Sequence, residues 1–394
     1  MASAFQPLPP GEFSPWFMTR SLTNPHYHFS SVAGRHVLLF FPGSLADPAS
    51  AAMLDTLLRN ATLFDDIRCS LFVVACDATD VEGRRARDRI PGIRVFCDFD
   101  AQVARLFGVA RLTDAAAAKV QPSLVLLSPT LQVMRWWMPS GAQPDPAVDA
   151  CAAVAAVPQP LHGPALPQAP VIVVPQVFEP EFCRELIAYC ERAGGSDSGY
   201  MRNDADGIRG VIDYGVKRRT DCLVEDEALR NAAARRIQRR LLPEIQRVFR
   251  FMATRMERYL VACYDARVGG YFRPHRDNDG EGHRQFAVTL NLNAEDYDGG
   301  DLRFPEYGRQ TYRAPTGGAC VFSCGLMHEA TPVGRGRRYA FLPFLYDESS
   351  ARLRERNNAK YVDPRHHYTL APEPAPLPAS GQDAPATTQP AASK

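Results

Sequence analysis

The sequence lacks the features that mark secreted and membrane proteins. It contains ten cysteines but no CxxC pair, and their scattered spacing in a chain of 394 residues does not indicate a disulfide framework. Its apolar runs, such as residues 71–76, are far shorter than the roughly 18 residues of a membrane span. Because the first residues have no basic stretch followed by an apolar one, we expect no export signal. These absences predict a cytoplasmic protein with reduced thiols and no membrane association.

An excess of charge of one sign is also lacking. The 45 Lys and Arg residues nearly balance the 44 Asp and Glu residues, and the formal net charge is +1. No overall field therefore selects nucleic acid as a partner. An arginine-rich helical pattern at 226–258, interrupted at Pro243, also contains acidic and apolar residues, so we interpret it as amphipathic helix and not as a nucleic-acid surface.

Proline is abundant, at 33 residues, and its clusters divide the chain. Residues 158–169 are proline-rich without apolar periodicity, which is typical of a linker. Residues 371–394 are rich in Pro and Ala and have no aromatic residue, so we expect a disordered tail. The pattern predicts two domains, at 7–157 and 170–349.

The first of these segments alternates strand-like and helix-like patches. Short continuous apolar runs, typical of strands covered on both faces, alternate with apolar residues at helical spacing. The strands are expected at 37–41, 71–75, 93–97, 124–127 and 132–136, and the helices at 51–64, 81–89, 101–107 and 145–156. This order predicts an α/β sandwich that ends in a hairpin.

Three stretches of this segment, FFPGSLADPAS, FCDFDAQVARLFGV and QPSLVLLSPTLQVMRWW, together resemble the peroxiredoxin branch of the thioredoxin fold. Counted from Pro42, the position of that family's peroxidatic cysteine is occupied by Ala49, and no cysteine lies between Pro42 and Arg68. Because the thiolate is the nucleophile of that family, we expect a thioredoxin-like domain without peroxidase activity. A thiol peroxidase that uses another cysteine is an alternative, and so is a domain that recruits a protein partner.

The second segment is expected to begin with a strand and a helix, and from Leu260 onward it shows short strands separated by turns, which indicates an antiparallel barrel or jelly roll. His275 and Asp277 are two residues apart, so on an extended strand their side chains share a face. His328 follows at a distance that lets later strands return it to the same cavity. Two imidazoles and one carboxylate form the facial triad of non-haem Fe(II) enzymes. Arg338, at the start of an apolar strand, needs an anionic partner, which a dicarboxylate can supply.

The motifs VACY and GGY before His275, GGDL before His328, and RYAF at Arg338 make this segment similar to the 2-oxoglutarate- and Fe(II)-dependent oxygenases, in particular the prolyl 4-hydroxylase-like branch. The resemblance implies a double-stranded β-helix with flanking helices. It also implies that His275, Asp277 and His328 bind Fe(2+). Arg338, or Arg337 in its place, would bind the distal carboxylate of 2-oxoglutarate.

The same resemblance assigns further co-substrate contacts. Tyr264 matches a family tyrosine that helps to hold 2-oxoglutarate. Asn291 stands where related enzymes have a second tyrosine, and Thr289, two residues earlier on the same strand face, is a candidate to compensate. His283, in a glycine-rich stretch, is interpreted as a solvated turn residue.

The resemblance predicts an enzyme that uses O2 and 2-oxoglutarate, with L-ascorbate as a candidate reductant, and releases succinate and CO2. We expect hydroxylation of a peptidyl residue, proline first. Hydroxylation of a free amino acid or a natural-product small molecule is an alternative, as is a thioredoxin-like binding module with a secondary oxygenase domain. Residues 196–225 are the expected substrate lid, with Lys217, Arg218 and Arg219 as candidate anion contacts. The second arginine signature of nucleic-acid demethylases, RxNxTxR, is absent after His328.

Overall fold

The computed structural model describes residues 5–112, 118–139, 145–158, 168–204, 207–278 and 282–370. Most of the predicted linker at 158–169 and all of the predicted tail at 371–394 lie outside the described residues. Within the described ranges, no helix has both the length and the apolar character needed to cross a bilayer.

The N-terminal half is built on a five-stranded sheet. Its strands are β1 (His36–Phe41), β2 (Cys69–Ala75), β3 (Ile93–Cys97), β4 (Ser123–Leu127) and β5 (Val133–Trp137), and its helices are α1 (Pro48–Arg59), α2 (Ala78–Glu82), α3 (Gln102–Leu106) and α4 (Pro146–Ala156). The strand order is β3-β2-β1-β4-β5, with β1, β2 and β3 parallel and the last two strands antiparallel. The predicted mixed α/β arrangement with a closing hairpin is confirmed. Small ladders join Met18–Thr19 to Tyr27–His28 and Ala110–Leu112 to Ala118–Val120.

Alternation along β1 gives the sheet two cores. Leu38 and Phe40 face one hydrophobic cluster, while Val37, Leu39 and Phe41 face another on the opposite side. Both faces are covered, which is why the strand is a continuous apolar run. The helix predicted at 81–89 is wrong in its extent, because α2 ends at Glu82, before Gly83.

The C-terminal half has helices α5 (Pro180–Ala193), α6 (Glu227–Arg240), α7 (Leu242–Phe249) and α8 (Glu348–Arg356). Its labelled strands are β6 (Ile172–Val174), β7 (Lys217–Arg218), β8 (Thr220–Leu223), β9 (Arg255–Glu257), β10 (Leu260–Asp265), β11 (Tyr271–His275), β12 (Phe286–Asn291), β13 (Leu302–Arg303), β14 (Thr311–Tyr312), β15 (Ala319–Ser323), β16 (His328–Ala330), β17 (Arg337–Phe341) and β18 (Phe344–Tyr346).

These strands form a large and a small sheet. The large one has the order β6-β15-β12-β17-β10-β8 and ends at Ser196–Asp197, while β18 pairs with both β9 and β12. The small one has the order β7-β11-β16-β13-β14. Further ladders join Tyr200–Asp204 to Gly207–Val211 and Asp298–Gly299 to Val333–Arg335. The second half is therefore mainly β, as predicted.

The helical region predicted over 226–258 is interrupted near Pro243 as expected, because this proline lies at the start of α7 and cannot continue the hydrogen bonding of α6. The predicted end of the region is wrong. Helix α7 ends at Phe249, its cap Arg250 has a left-handed backbone, and residues 255–257 form strand β9. The expected lid at 196–225 contains β7, β8 and the Tyr200–Asp204 hairpin.

Candidate metal centre

Strand pairing in the small sheet brings the two distant histidines together. His275 at the end of β11 is the register partner of His328 at the start of β16. Asp277 follows β11, and its backbone N–H donates to the Cys324 carbonyl at 3.1 Å. The ligand atoms of His275, Asp277 and His328 all lie within 4.8 Å of one another. The structure thus collects the three side chains that the motif singled out.

The geometry of each imidazole leaves Nε2 facing the carboxylate. His275 Nε2 lies 3.7 Å from Asp277 Oδ1, and His328 Nε2 lies 3.4 Å from Asp277 Oδ2. On the other side of the rings, Nδ1 of His275 lies 2.8 Å from the Arg273 carbonyl, and Nδ1 of His328 lies 3.0 Å from the Leu326 carbonyl. Since a carbonyl only accepts, both Nδ1 atoms donate, and both Nε2 lone pairs are free to bind a metal.

The surroundings of His275 and Asp277 favour the protonation states that a metal ion requires. Desolvation, followed by the neighbouring His328, lowers the pKa of His275 to about 3, so its imidazole is neutral near neutral pH. The two histidines hold the pKa of Asp277 below its usual range although burial opposes this. Neutral imidazoles and an ionised carboxylate are the ligand forms of Fe(II) sites.

Aromatic rings fix the imidazoles in place. The Phe272 ring stacks on His275 with centroids 3.5 Å apart, and the Phe322 ring lies 4.6 Å from that of His328. Both phenylalanines line the cavity that contains the triad. These contacts limit rotation of the ligands and cover them with apolar surface.

Arg338 enters the same cavity from the large sheet. It is the register partner of Tyr264 on β10, and its Cζ lies 5.0 Å from the Tyr264 ring centroid. The residue is only 2% exposed, and its Nε and one terminal nitrogen have no hydrogen-bond partner among the described residues. A buried guanidinium without a partner is costly, so this position fits an anionic ligand.

The other predicted co-substrate residues are placed differently. Tyr264 and Thr289 line the cavity. Asn291 is buried behind it, where its side-chain amide donates to the Ala314 carbonyl at 2.7 Å. Arg337 points outward and pairs with Asp265 at 3.0 Å, so Arg338 is the member of this arginine pair that lies in the cavity.

Three basic residues lie on the cavity wall, and two of them, Lys217 and Arg219, belong to the KRR run predicted to contact an anion. Arg218, the remaining member of that run, is exposed and donates to the Tyr214 and Val268 carbonyls. Arg219 pairs with Asp221 at 2.6 Å and donates to the Tyr264 hydroxyl at 3.2 Å. Lys217 is 4% exposed, and its Nζ donates to the Gly199 carbonyl. Burial and the nearby Arg219 lower its pKa to about 6. The third is Arg258, which no motif contains. The KRR run at 217–219 was the available signal for the first two.

His283 is not a solvated turn residue. It is 6% exposed, and its Nε2 lies 3.1 Å from Glu257, which also pairs with Arg284 at 2.6 Å and Arg354 at 2.7 Å. The glycine-rich neighbours predict an exposed turn, but the contact with the buried Glu257 carboxylate holds the His283 ring inside the protein. The interpretation of His283 as solvated is therefore wrong.

Comparison with known proteins identifies the domain that contains the site. Residues 259–346 match the 2OG-Fe(II) oxygenase superfamily, so the chain contains a domain of this family, and the resemblance predicted from the motifs is confirmed. A PKHD-type hydroxylase of Synechococcus sp. is 34% identical over 123 residues, which are 28% of this chain and 54% of the relative. The chain spans about half the length of the curated relatives it matches.

Solved structures similar to the chain fall on both halves. A Pseudomonas putida prolyl-4-hydroxylase has a TM-score of 0.36 and 20% identity, and the match covers 46% of this chain and 94% of that one. Peroxidoxin BcpB from Mycobacterium tuberculosis has a TM-score of 0.33 and 21% identity, covering 38% of this chain and 98% of that one. Peroxiredoxin structures are thus among the matches, as the motifs of the N-terminal segment predicted.

Proposed function

We propose that this chain is an Fe(II)- and 2-oxoglutarate-dependent dioxygenase that hydroxylates a residue of a peptide or protein, proline first. One observation carries the proposal: a His-Asp-His triad lies in the same cavity as the buried guanidinium of Arg338, two of whose nitrogens have no partner among the described residues. The name of the Synechococcus relative, a PKHD-type hydroxylase, supports hydroxylation as the reaction.

We also propose two domains, a thioredoxin-like α/β sandwich at 7–157 and a double-stranded β-helix at 170–349, joined by the linker at 158–169. The hydrophobic clusters of the described residues support this division. Two of them draw only on residues up to Val157, and the other three draw only on residues from Ala169 onward. Each half therefore has its own core.

The donor set fits the cofactors that the family implies. His275 and His328 would bind Fe(II) through Nε2 and Asp277 through a carboxylate oxygen. Arg338 would bind the distal carboxylate of 2-oxoglutarate, with the Tyr264 ring beside it and the Thr289 hydroxyl on the same wall. When bound, iron and 2-oxoglutarate supply the oxidising chemistry with O2, and succinate and CO2 are the co-products.

The chain's own residues orient the reactants and exclude water. The carbonyls of Arg273 and Leu326 keep the Nδ1 proton on each imidazole, so that Nε2 stays available to the metal. Phe272 and Phe322 shield the triad from solvent, which strengthens electrostatic contacts inside the cavity. Asp277 stays ionised at neutral pH and offsets part of the metal's charge.

Anaerobic titration with Fe(II) and 2-oxoglutarate tests the proposal. We expect a visible metal-to-ligand charge-transfer band in the native protein that is lost in His275→Ala and weakened in Arg338→Ala. A folded native protein without the band would refute the assignment. Succinate formation would then be measured with proline-containing peptides, L-proline and L-ascorbate as reductant. Turnover with L-proline alone would favour the free amino acid alternative.

A further inference from the structure

Arg258 is a guanidinium in the candidate site that has no hydrogen bond or ion pair to any part of the chain the structure describes. It lies two residues before β10 and lines the cavity that also contains the triad. Its Cζ is 5.0 Å from the centroid of the Phe344 ring, which lines the same cavity. A half-buried guanidinium held against an aromatic face, with its N–H donors unused, is suited to bind an anion.

The carboxylates near Arg258 are already paired with other cations. Glu257, its neighbour in sequence, is held by Arg284, Arg354 and His283. Asp221 forms its ion pair with Arg219 at 2.6 Å. The cavity lining otherwise contains one acidic residue, Asp277, which belongs to the triad. None of these carboxylates among the described residues is therefore free to pair with Arg258, and its guanidinium is available to an external anion.

The backbone at Arg258 is in a conformation that side chains rarely adopt. Its φ is +70°, in the left-handed region, where a long side chain costs about 1 kcal/mol or more. Strained residues of this kind cluster at binding and catalytic sites. Here the left-handed residue joins β9 to β10, and its side chain enters the cavity and not the surrounding solvent.

Arg258 and Arg338 enter the cavity from opposite ends of strand β10. Arg258 precedes Leu260, the first residue of the strand, whereas Arg338 is paired with Tyr264 near its other end. Leu260 and Tyr264 are four residues apart, which is about 13 Å along an extended strand. The triad lies on the cavity wall formed by the facing small sheet. Arg258 is therefore a second guanidinium of this cavity, attached to a different part of its wall from Arg338.

We propose that Arg258 binds a carboxylate of the primary substrate and so selects substrates that carry a negative charge close to the hydroxylated carbon. The inference rests on the proposed function, because it assigns the substrate class of the same site. Two sources have this chemistry. One is an acidic side chain next to the target residue, and the other is a terminal carboxylate, as in a free amino acid or a chain end. Because Arg258 lines the cavity and has no hydrogen bond or ion pair among the described residues, either carboxylate would bind better than a neutral peptide.

Two pairs of small probes separate the sources. N-acetyl-L-proline and its amide differ only in the terminal carboxylate, and N-acetyl-Pro-Glu-amide and N-acetyl-Pro-Gln-amide differ only in the side-chain carboxylate. The full chain is loaded with Mn(II) and 2-oxoglutarate under argon, so that no turnover occurs. Paramagnetic broadening of the proline ring protons in NMR spectra then measures binding near the metal.

We expect at least one acidic probe to bind about tenfold or more tightly than its neutral partner, the usual effect of a charge-assisted hydrogen bond. Arg258→Gln should abolish this preference, and Arg258→Lys should retain part of it. Arg184→Gln is the matched control, since Arg184 is exposed on helix α5 and pairs there with Glu181 at 2.9 Å. That variant should keep the preference. The acid-to-neutral comparison in the native protein does not depend on whether any variant folds.

Equal behaviour of acidic and neutral probes in the native protein, including no binding by all four, would overturn the inference. A preference that survives in folded Arg258→Gln would also overturn it. Mn(II) and 2-oxoglutarate binding is measured in the same samples, so the two proposals fail separately. If the native protein does not bind the metal, the proposed function fails; if it binds the metal and 2-oxoglutarate but shows no preference, only the assignment of Arg258 fails.

Discussion

Arg338 is a buried cation, two of whose nitrogens lack partners in the described part of the chain, and this has consequences for both binding and stability. A bound carboxylate would supply two charge-assisted hydrogen bonds. Without it, the charge is desolvated and uncompensated. The neighbouring Arg337 has the same chemistry but is half exposed and paired with Asp265. The two adjacent arginines therefore form a matched pair for substitution.

We predict that Arg338→Gln weakens 2-oxoglutarate binding by about 30-fold or more, because a charged hydrogen-bond pair in a buried site contributes on the order of 2 kcal/mol. Metal binding should stay near the native value. The ligand-free variant should also unfold at a higher temperature than the native protein, since an unpaired buried charge is removed. Titration calorimetry with Mn(II) present and thermal unfolding without ligand measure both effects.

Arg337→Gln is the control for this prediction and should change neither measurement appreciably. If Arg337→Gln reduced 2-oxoglutarate affinity and Arg338→Gln did not, the alternative anchor left open by the motif would be correct. The sequence favoured Arg338, because it is directly followed by the family-like YAF, and left Arg337 as the alternative. Strand register decides which of them faces the cavity, since adjacent residues on a strand point to opposite sides.

The positions of Arg258 and His283 could not be predicted from the sequence, because they depend on contacts with residues that are distant in the chain. Arg258 is part of no motif, and its place in the cavity depends on a left-handed backbone and on Phe344, which lies far away in the chain. His283 was misread because the buried Glu257 that attracts it lies 26 residues earlier. His275, Asp277 and Arg338 were accessible because their spacing along the chain is itself the family pattern.

At the scale of elements, Glu257 joins three segments of the C-terminal half. It ends strand β9, receives ion pairs from His283 and Arg284 before β12, and pairs with Arg354 in helix α8. These cations hold its pKa well below the usual range although burial opposes this. Because the folded-state pKa is depressed, the stabilisation is present above the unfolded pKa of about 4.3 and is lost as the pH falls toward the folded pKa.

We predict that Glu257→Gln lowers the free energy of unfolding by about 3 kcal/mol at pH 7, because it leaves buried cations without their partner. The difference from the native protein should shrink as the pH falls below about 4. Urea unfolding at several pH values measures it. Asp298→Asn, in an exposed pair with Arg335, should cause no measurable change. A difference that does not depend on pH would contradict the assigned role of the charge.

Helices and strands were predictable where one physical signal dominated. Continuous apolar runs marked β1, β2 and β4 because both faces of that sheet are covered. In the region 226–258, arginines and apolar residues kept helical spacing beyond the true end of the helix at Phe249. At residues 255–257, pairing of β9 with β18 overrides the local helical propensity. A contact between segments so far apart in the chain cannot be detected in a local sequence pattern.

Three thiols of the N-terminal half lie in surroundings that raise their pKa values and so disfavour the thiolate form. Cys69 begins β2 and Cys151 lies in α4, and burial raises their pKa values to about 12 and about 11. Cys76 is held beside Asp98, and burial together with that carboxylate raises its pKa further. A peroxide-reducing thiol requires the opposite environment, in which the thiolate is stabilised.

We therefore predict that the native protein consumes hydrogen peroxide no faster than buffer does at pH 7. We also expect the thiols of the native protein to react with a disulfide reagent far more slowly than the thiols of the protein unfolded in guanidinium. Peroxide consumption that a single Cys→Ser substitution abolishes would restore the thiol peroxidase alternative. Cys97, which is partly exposed, is the first position to substitute in that case.

At the scale of the whole molecule, a segment near the N-terminus connects the two halves. The Gly11 N–H donates to the Val133 carbonyl, and the Gln132 side chain donates to the Gly11 carbonyl, which attaches the segment to strand β5 and its preceding residue. On its other side, Glu12 pairs with Arg239 of helix α6 at 2.8 Å. The residues around Gly11 and Glu12 thus contact both halves of the described chain.

Gly11 allows a test of this contact. Its φ is +88°, and a Cβ at this position would lie 2.3 Å from the Gln176 carbonyl oxygen, in the C-terminal half. We predict that Gly11→Ala destabilises the protein by about 2–4 kcal/mol, the sum of backbone strain and displacement of the two halves. Gly34→Ala is the control, because its φ of +103° imposes similar strain while a Cβ there would meet no atom within 4 Å. It should cost only about 1 kcal/mol.

Both alanine variants bear the cost of backbone strain. The difference between their free energies of unfolding therefore measures the cost of disturbing the contact between the two halves. Chemical unfolding gives the two free energies. Hydrogen exchange should show faster exchange around residues 174–178 in Gly11→Ala but not in Gly34→Ala, because only the first substitution pushes against Gln176. Equal losses of stability and unchanged exchange near Gln176 would mean that the halves do not meet at Gly11 in solution.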